Sequence, residues 1–169
     1  MKLFFGLGNP EKKYHNTRHN LGQMLIKNFS IKHDFSLSTK NKLQSMVGEY
    51  DGNIYAISTN YMNLSGISVQ KLASYYNIPP QDIYIVHDDL DITVGEWRLQ
   101  FDRGPAGHNG VKSIIQHLDS QAFWRIRIGI GHPQSDVNVP IEDYVLKPLT
   151  SEERKIILPL IDEITLEKI

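Results

Sequence analysis

Apolar residues in this chain repeat at a spacing of two in some segments and of three to four in others, and the two kinds of segment take turns along it. Lys2–Leu7 is a compact apolar run closed by Gly6-Leu7-Gly8-Asn9-Pro10, which predicts a buried strand running into a loop. From Asn20 to about Phe29, the residues Leu21, Met24, Leu25 and Phe29 fall at helical spacing, with Asn20 as the N-cap. Val47–Tyr50 and Ile54–Ser58 flank Asp51-Gly52-Asn53, a hairpin signal. Ser68–Tyr76 is again helical and is expected to stop at Pro79-Pro80. Ile83–Val86 is a short β-branched run, and Glu96–Phe101 alternates as a strand does. Asn109–Leu118 presents Val111, Ile114, Ile115 and Leu118 on one helical face. Trp124–Ile130 alternates and ends at Gly131, and Glu152–Ile164 is a last amphipathic segment that Pro159 is expected to kink or break. Strands alternating with helices, with a hairpin inserted, predict an α/β fold. We expect a single domain over residues 1–169, with a central mixed, mostly parallel twisted sheet and helices on both faces. A chain of 169 residues can bury roughly two-thirds of its unfolded surface, enough for a real core.

Several chemistries are excluded at once. With no cysteine there is no disulfide, thiolate nucleophile or zinc–thiolate site. Gly6-Leu7-Gly8 lacks the third glycine of a dinucleotide fingerprint, and no P-loop is present. The apolar run near Met1, broken by Gly6 and Gly8, is too short for a signal-peptide core or a membrane span, so a cytoplasmic location is expected. The net charge of −1 counts against a nucleic-acid binder, but its distribution is uneven. Arg98 to Arg127 carries five bases against two acids, whereas Glu142 to Ile169 carries seven acids against four bases. A local basic patch can bind phosphate on a neutral chain, although ordinary surface charge explains the same pattern.

Polar clusters follow the predicted strands, where open α/β sheets gather their ligands. Gly8-Asn9-Pro10 leads to Thr17-Arg18-His19-Asn20, and Ile83–Val86 leads to His87-Asp88-Asp89-Leu90-Asp91. Tyr61-Met62-Asn63-Leu64-Ser65-Gly66 follows the hairpin, and Gly107-His108-Asn109-Gly110 opens a helix. His19 either helps to cap its helix or, oriented by a carboxylate such as Asp88, takes a proton from water. The acidic cluster offers a second possibility, since carboxylates with an imidazole suit Mg²⁺ or Mn²⁺. Adjacent Asp88 and Asp89 would face opposite ways on an extended segment, however, and no second acidic cluster exists to partner them. Asn109 reads as an N-cap, or with its glycines as a carbonyl-binding element. Asn9, Asn63 and Asn109 each supply a donor and an acceptor without charge, which suits a peptide or ester carbonyl.

Six segments in order then resemble one family. Phe5-Gly6-Leu7-Gly8-Asn9-Pro10, Tyr14 with Thr17-Arg18-His19-Asn20, Met62-Asn63-Leu64-Ser65-Gly66, His87-Asp88-Asp89-Leu90-Asp91, Gly107-His108-Asn109-Gly110 and Arg127-Ile128-Gly129-Ile130-Gly131 are similar to the bacterial peptidyl-tRNA hydrolases. The likeness runs from about Lys2 to Pro148. It implies a monomer with no metal, no cofactor and no membrane or obligate protein partner, acting on peptidyl-tRNA at the ester joining peptide to terminal ribose. By matching position, His19 would be the general base, Asp88 its orienting partner and Asn9 a further catalytic residue. Asn63, His108 and Asn109 would bind the peptide and the 3′ adenosine, with Tyr14, Tyr61 and Met62 lining the cleft. Arg98, Arg103, Lys112, Arg125 and Arg127 are the bases expected to meet tRNA phosphates.

The chain departs from the family in three places. Asp102-Arg103-Gly104-Pro105-Ala106 replaces a glycine-richer stretch, Gln134-Ser135-Asp136 stands where a basic residue is common, and the sequence stops at Ile169, before a helical segment that many members carry. Two rival readings remain: a non-enzymatic RNA-binding module on the same fold, and a metal-dependent hydrolase using Asp88 to Asp91.

Overall fold

The computed structural model describes residues 1–134 and 138–169. Ser135 and Asp136, part of the departure noted after Pro133, lie outside the described residues. Strands β1 (Leu3–Gly6), β2 (Ser38–Lys40), β3 (Ser45–Tyr50), β4 (Asn53–Ser58), β5 (Ile83–Asp89), β6 (Trp97–Phe101) and β7 (Trp124–Gly129) form one sheet in the order β2-β3-β4-β1-β5-β7-β6. The central strands β4, β1, β5 and β7 are parallel, while β3 and β6 run antiparallel to their neighbours. Both β1 and β5 are buried along their whole length, which is why they read as continuous apolar runs rather than alternations.

Helices cover both faces. On one, α1 (Leu21–Lys32) and α5 (Ser151–Glu163) pack Leu25, Phe29, Ile157 and Ile161 on Phe4, Tyr55, Val86 and Ile126. On the other, α2 (Ser65–Tyr76) and α3 (Asn109–Leu118) pack Val69, Leu72, Val111 and Ile114 on Leu3, Phe5, Ile54 and Ile85. A short helix, α4 (Ile141–Val145), had no clear signal in the sequence. Among the described residues no helix is long and apolar enough to cross a membrane.

Four local expectations need correction. α2 ends at Asn77, in the left-handed region at φ 54°, before the two prolines are reached. α5 runs unbroken through Pro159, which lies on the exposed side with Lys155, so the carbonyl that loses its partner faces water. Asn20 does not cap α1, because its side chain is spent on Asn9. Asn109 does not cap α3 either: the cap is His108, whose Nδ1 accepts from the N–H groups of Gly110 and Val111 at 3.2 and 3.4 Å.

Candidate active site

Because β1 and β5 are adjacent and parallel, the residues beyond their carboxyl ends emerge side by side. Asn9 follows β1, and Asp88 and Asp89 close β5. The chain then returns through a 3₁₀ turn, Arg18–Asn20, into α1. α1 can sit down on the strand ends because Gly22 has no side chain: a Cβ there would strike the Val86 carbonyl and the backbone of Leu7. Arg18 fixes the turn from outside. Its guanidinium donates to both carboxylate oxygens of Glu153, each at 2.8 Å, and to the Tyr144 carbonyl at 2.9 Å.

These elements bring His19 onto Asp88. His19 Nδ1 lies 3.0 Å from both carboxylate oxygens, and His19 lines an open cleft of ≈ 650 Å³. Burial pushes the His19 imidazole down, but the charge and hydrogen bonds of Asp88 outweigh it, and its pKa ends above 6.5. Burial likewise works against the Asp88 carboxylate, yet His19 and His108 hold its pKa well below the usual carboxylate range. His108 Nε2 reaches the same Asp88 Oδ1 at 2.9 Å. His87, next in the chain to Asp88, is driven down to about 3 by burial and by His108, so it is neutral.

Asn9 is held on three sides. Its N–H donates to Asn20 Oδ1 at 2.9 Å, its carbonyl accepts from Asn20 Nδ2 at 2.9 Å, and its Oδ1 accepts from the Met62 N–H at 2.8 Å. With Oδ1 engaged, the amide presents Nδ2 to the cleft as a donor. Asn63 and Asn109, both exposed, complete a neutral rim with Tyr61 and Met62. The Tyr61 hydroxyl donates to Glu11.

The cleft therefore gathers Asn9, His19, Tyr61, Met62, Asn63, Asp88, His108 and Asn109 from the expected set. Tyr14 is not in its wall; its ring lies under Lys13 Nζ at 4.9 Å. His108, expected to touch substrate, has both ring nitrogens engaged within the protein. Arg127 is 4% exposed, with Nε on Asp89 at 2.8 Å and Nη1 on Gln100 at 2.8 Å, so it has no reach to a phosphate. Arg125, 1% exposed, donates to the carbonyls of Gln121, Phe123 and Arg103. Both sit on a strand enclosed by β5 and β6, and two arginines alternating with isoleucine do not reveal that enclosure in sequence. Arg98 and Lys112 are exposed and Arg103 partly so. Leu90 and Asp91, from the acidic cluster, also line the cleft, and so do His132, Ile141, Glu142, Val145 and Leu146, which had not been foreseen. His132, directly after Gly131, was the available hint; its Nε2 meets Asp91 at 2.9 Å.

The acidic cluster does not converge. Asp88 turns to the two histidines and Asp89 to Arg127, as strand alternation requires. His19, Asp88 and His108 do bring three potential ligand atoms within 4.8 Å of one another. His108 fits an ion poorly there: its Nδ1 accepts two backbone N–H groups, so the proton of the neutral ring is on Nε2 and no lone pair is left to face Asp88.

A mixed α/β sheet whose strand ends unite a buried imidazole–carboxylate pair with an oriented amide donor defines a hydrolase-type site, equipped to activate water beside a carbonyl. The peptidyl-tRNA hydrolase family model matches residues 3–167, and the chain belongs to that family. It is 41% identical to the peptidyl-tRNA hydrolase of Rickettsia bellii, over 98% of this chain and 90% of the relative. Against that of Geobacillus thermodenitrificans it is 44% identical, over 94% and 86%. The crystal structure of peptidyl-tRNA hydrolase from Acinetobacter baumannii superposes with a TM-score of 0.89 at 36% identity, covering 96% of this chain and 83% of that one.

Proposed function

We propose that this chain hydrolyses the ester between a peptide, or an N-acyl amino acid, and the 3′-terminal ribose of tRNA, and so recycles tRNA from prematurely released peptidyl-tRNA. Family membership supports the substrate, and the contact of His19 Nδ1 with both Asp88 oxygens at 3.0 Å carries the chemistry. His19 donates Nδ1–H to Asp88, which leaves the lone pair on Nε2. Nε2 takes a proton from water as the water oxygen bonds to the ester carbonyl carbon. The oxyanion is met by Asn9 Nδ2, whose orientation the Met62 N–H sets, with Asn63 and Asn109 holding the peptide and the 3′ adenosine. The bond from that carbon to the ribose oxygen then breaks, and the ribose oxygen leaves with the proton carried by His19.

tRNA is held through phosphates by Arg98, Arg103 and Lys112, with Tyr61 and Met62 against the acyl end. The protein acts as a monomeric single domain in the cytoplasm, without metal or cofactor. Turnover of an N-acylaminoacyl-tRNA tests the reading. His19→Ala and Asp88→Ala should each lower kcat by at least about a hundredfold while thermal unfolding stays cooperative. Near-normal hydrolysis without His19 would end the assignment. Binding of the substrate with no turnover by the unaltered chain would favour an RNA-binding module, and loss of activity in EDTA a metal hydrolase.

A further inference from the structure

We propose that His108 is a positioning residue that divides the Asp88 carboxylate, holding one of its oxygens so that His19 keeps only a shared grip on it. The proposal rests on the reading of His19 as the base. His108 stands immediately before α3 and makes two kinds of bond with one ring. Its Nδ1 accepts two of the free N–H groups in the first turn of the helix, from Gly110 at 3.2 Å and Val111 at 3.4 Å. An acceptor nitrogen carries no proton, so the cap itself sets the tautomer: Nε2 bears the hydrogen and donates it to Asp88 Oδ1 at 2.9 Å. A helix cap is thereby wired to the carboxylate of the water-activating pair.

The consequence is electrostatic. Asp88 Oδ1 accepts from His19 and from His108 together, and the side chains of all three are at most 11% exposed. A carboxylate that already accepts one such bond is a weaker partner for the next. Asp88 thus stabilises the imidazolium of His19 less than it would alone, and the free base survives at lower pH.

Most other charges near His19 are engaged elsewhere. Arg18, in its own turn, faces Glu153, and beyond it on β5 Asp89 faces Arg127. Asp91 pairs with His132, while Glu142 lines the same cleft. His87 packs its ring 4.9 Å from that of His108 and is uncharged. The division of Asp88 is thus made by His108.

Two substitutions separate the two bonds of the ring. In His108→Asn the amide oxygen replaces Nδ1 and keeps the cap, but the side chain is too short to reach Asp88. In His108→Gln the amide N–H replaces Nε2 and keeps the bond to Asp88, but the cap is lost. The ring signals of His19 are followed by NMR against pH in the full chain, which needs no substrate. We expect the His19 titration in His108→Asn to move to higher pH by about 0.5 to 1 pH unit. The acid limb of kcat/KM should move with it. His108→Gln should titrate like the unaltered protein while unfolding at lower denaturant. A His108→Asn titration unchanged or moved to lower pH overturns the proposal, as does a shift in His108→Gln alone. A shift as expected in a chain that hydrolyses no peptidyl-tRNA would instead strike the functional reading and leave the division of Asp88 standing.

Discussion

At the Asp88 carboxylate, pH acts on activity and on stability in opposite directions through one neighbour. On the proposed mechanism His19 acts only when neutral, so kcat/KM should rise with pH through its folded pKa, which, against burial, Asp88 raises above 6.5. That same raised pKa means the folded state binds its proton more tightly than the unfolded state. The stabilisation is complete below the unfolded pKa and is lost as pH rises through the folded one. Asp88 has the reverse sign: its depressed pKa contributes stability above 3.8, lost as pH falls below that value. We expect the Tm to decline on passing from pH 6 to pH 8 and Asp88→Asn to flatten that decline; a variant with the same slope as the unaltered protein would count against the linkage. At this scale the sequence was legible in its residue types. His19, Asp88 and three asparagines marked the cleft that all five line, because few other arrangements bring an imidazole, a carboxylate and amides to successive strand ends. Which nitrogen of His108 carries a proton was not legible, since that depends on backbone N–H groups placed only by the folded helix.

Between elements, the decisive contacts are the closest ones. Gly22 lets α1 rest on the ends of β1 and β5, and Gly22→Ala would press a methyl group into backbone rather than into a side chain able to move. We expect a loss of about 1–3 kcal/mol or more in urea unfolding, with hydrolysis reduced beyond what the unfolded fraction explains. Glu153 joins two further elements: it closes the capping box of α5 with Thr150 and receives Arg18 from the turn before α1. Glu153→Ala should cost about 3 kcal/mol, since it strands a nearly buried guanidinium. An unfolding midpoint within error of the unaltered protein would show that Arg18 had found another partner. Periodicity located α3 to the residue and the β3–β4 hairpin within two residues, because long amphipathic segments and Asp-Gly turns carry strong local signals. It missed β2 and α4. The three residues of β2 are all exposed, and α4 has only five, too few for either to show a period.

For the molecule as a whole, the question is how much of its local positive charge meets solvent. Of the five bases between Arg98 and Arg127, two are buried and committed within the protein, leaving Arg98, Arg103 and Lys112. A clamp of about three phosphate contacts predicts a modest salt dependence, with log KM rising against log salt at a slope of about 2 to 3. Lys112→Ala should lower that slope by about 1 and leave kcat unchanged, whereas Arg127→Ala should act first on stability. A Lys112→Ala slope equal to that of the unaltered protein would move the clamp elsewhere. Charge counted along the sequence overstated this patch because it treats a base on an enclosed strand like one on a helix surface. The α/β class was legible for the opposite reason: alternation of strand and helix is written in hydrophobic spacing, which enclosure strengthens rather than hides.

Asn20 follows His19 directly, and both its amide atoms grip the backbone of Asn9. On the proposed mechanism, two neighbours on one short turn thus supply the proton acceptor and frame a hydrogen-bond donor from the loop after β1. Mutational drift has little room to retune one without disturbing the other. Lineages that alter substrate range should therefore spare this turn and α4, whose Tyr144 carbonyl it holds through Arg18, and remodel the cleft elsewhere.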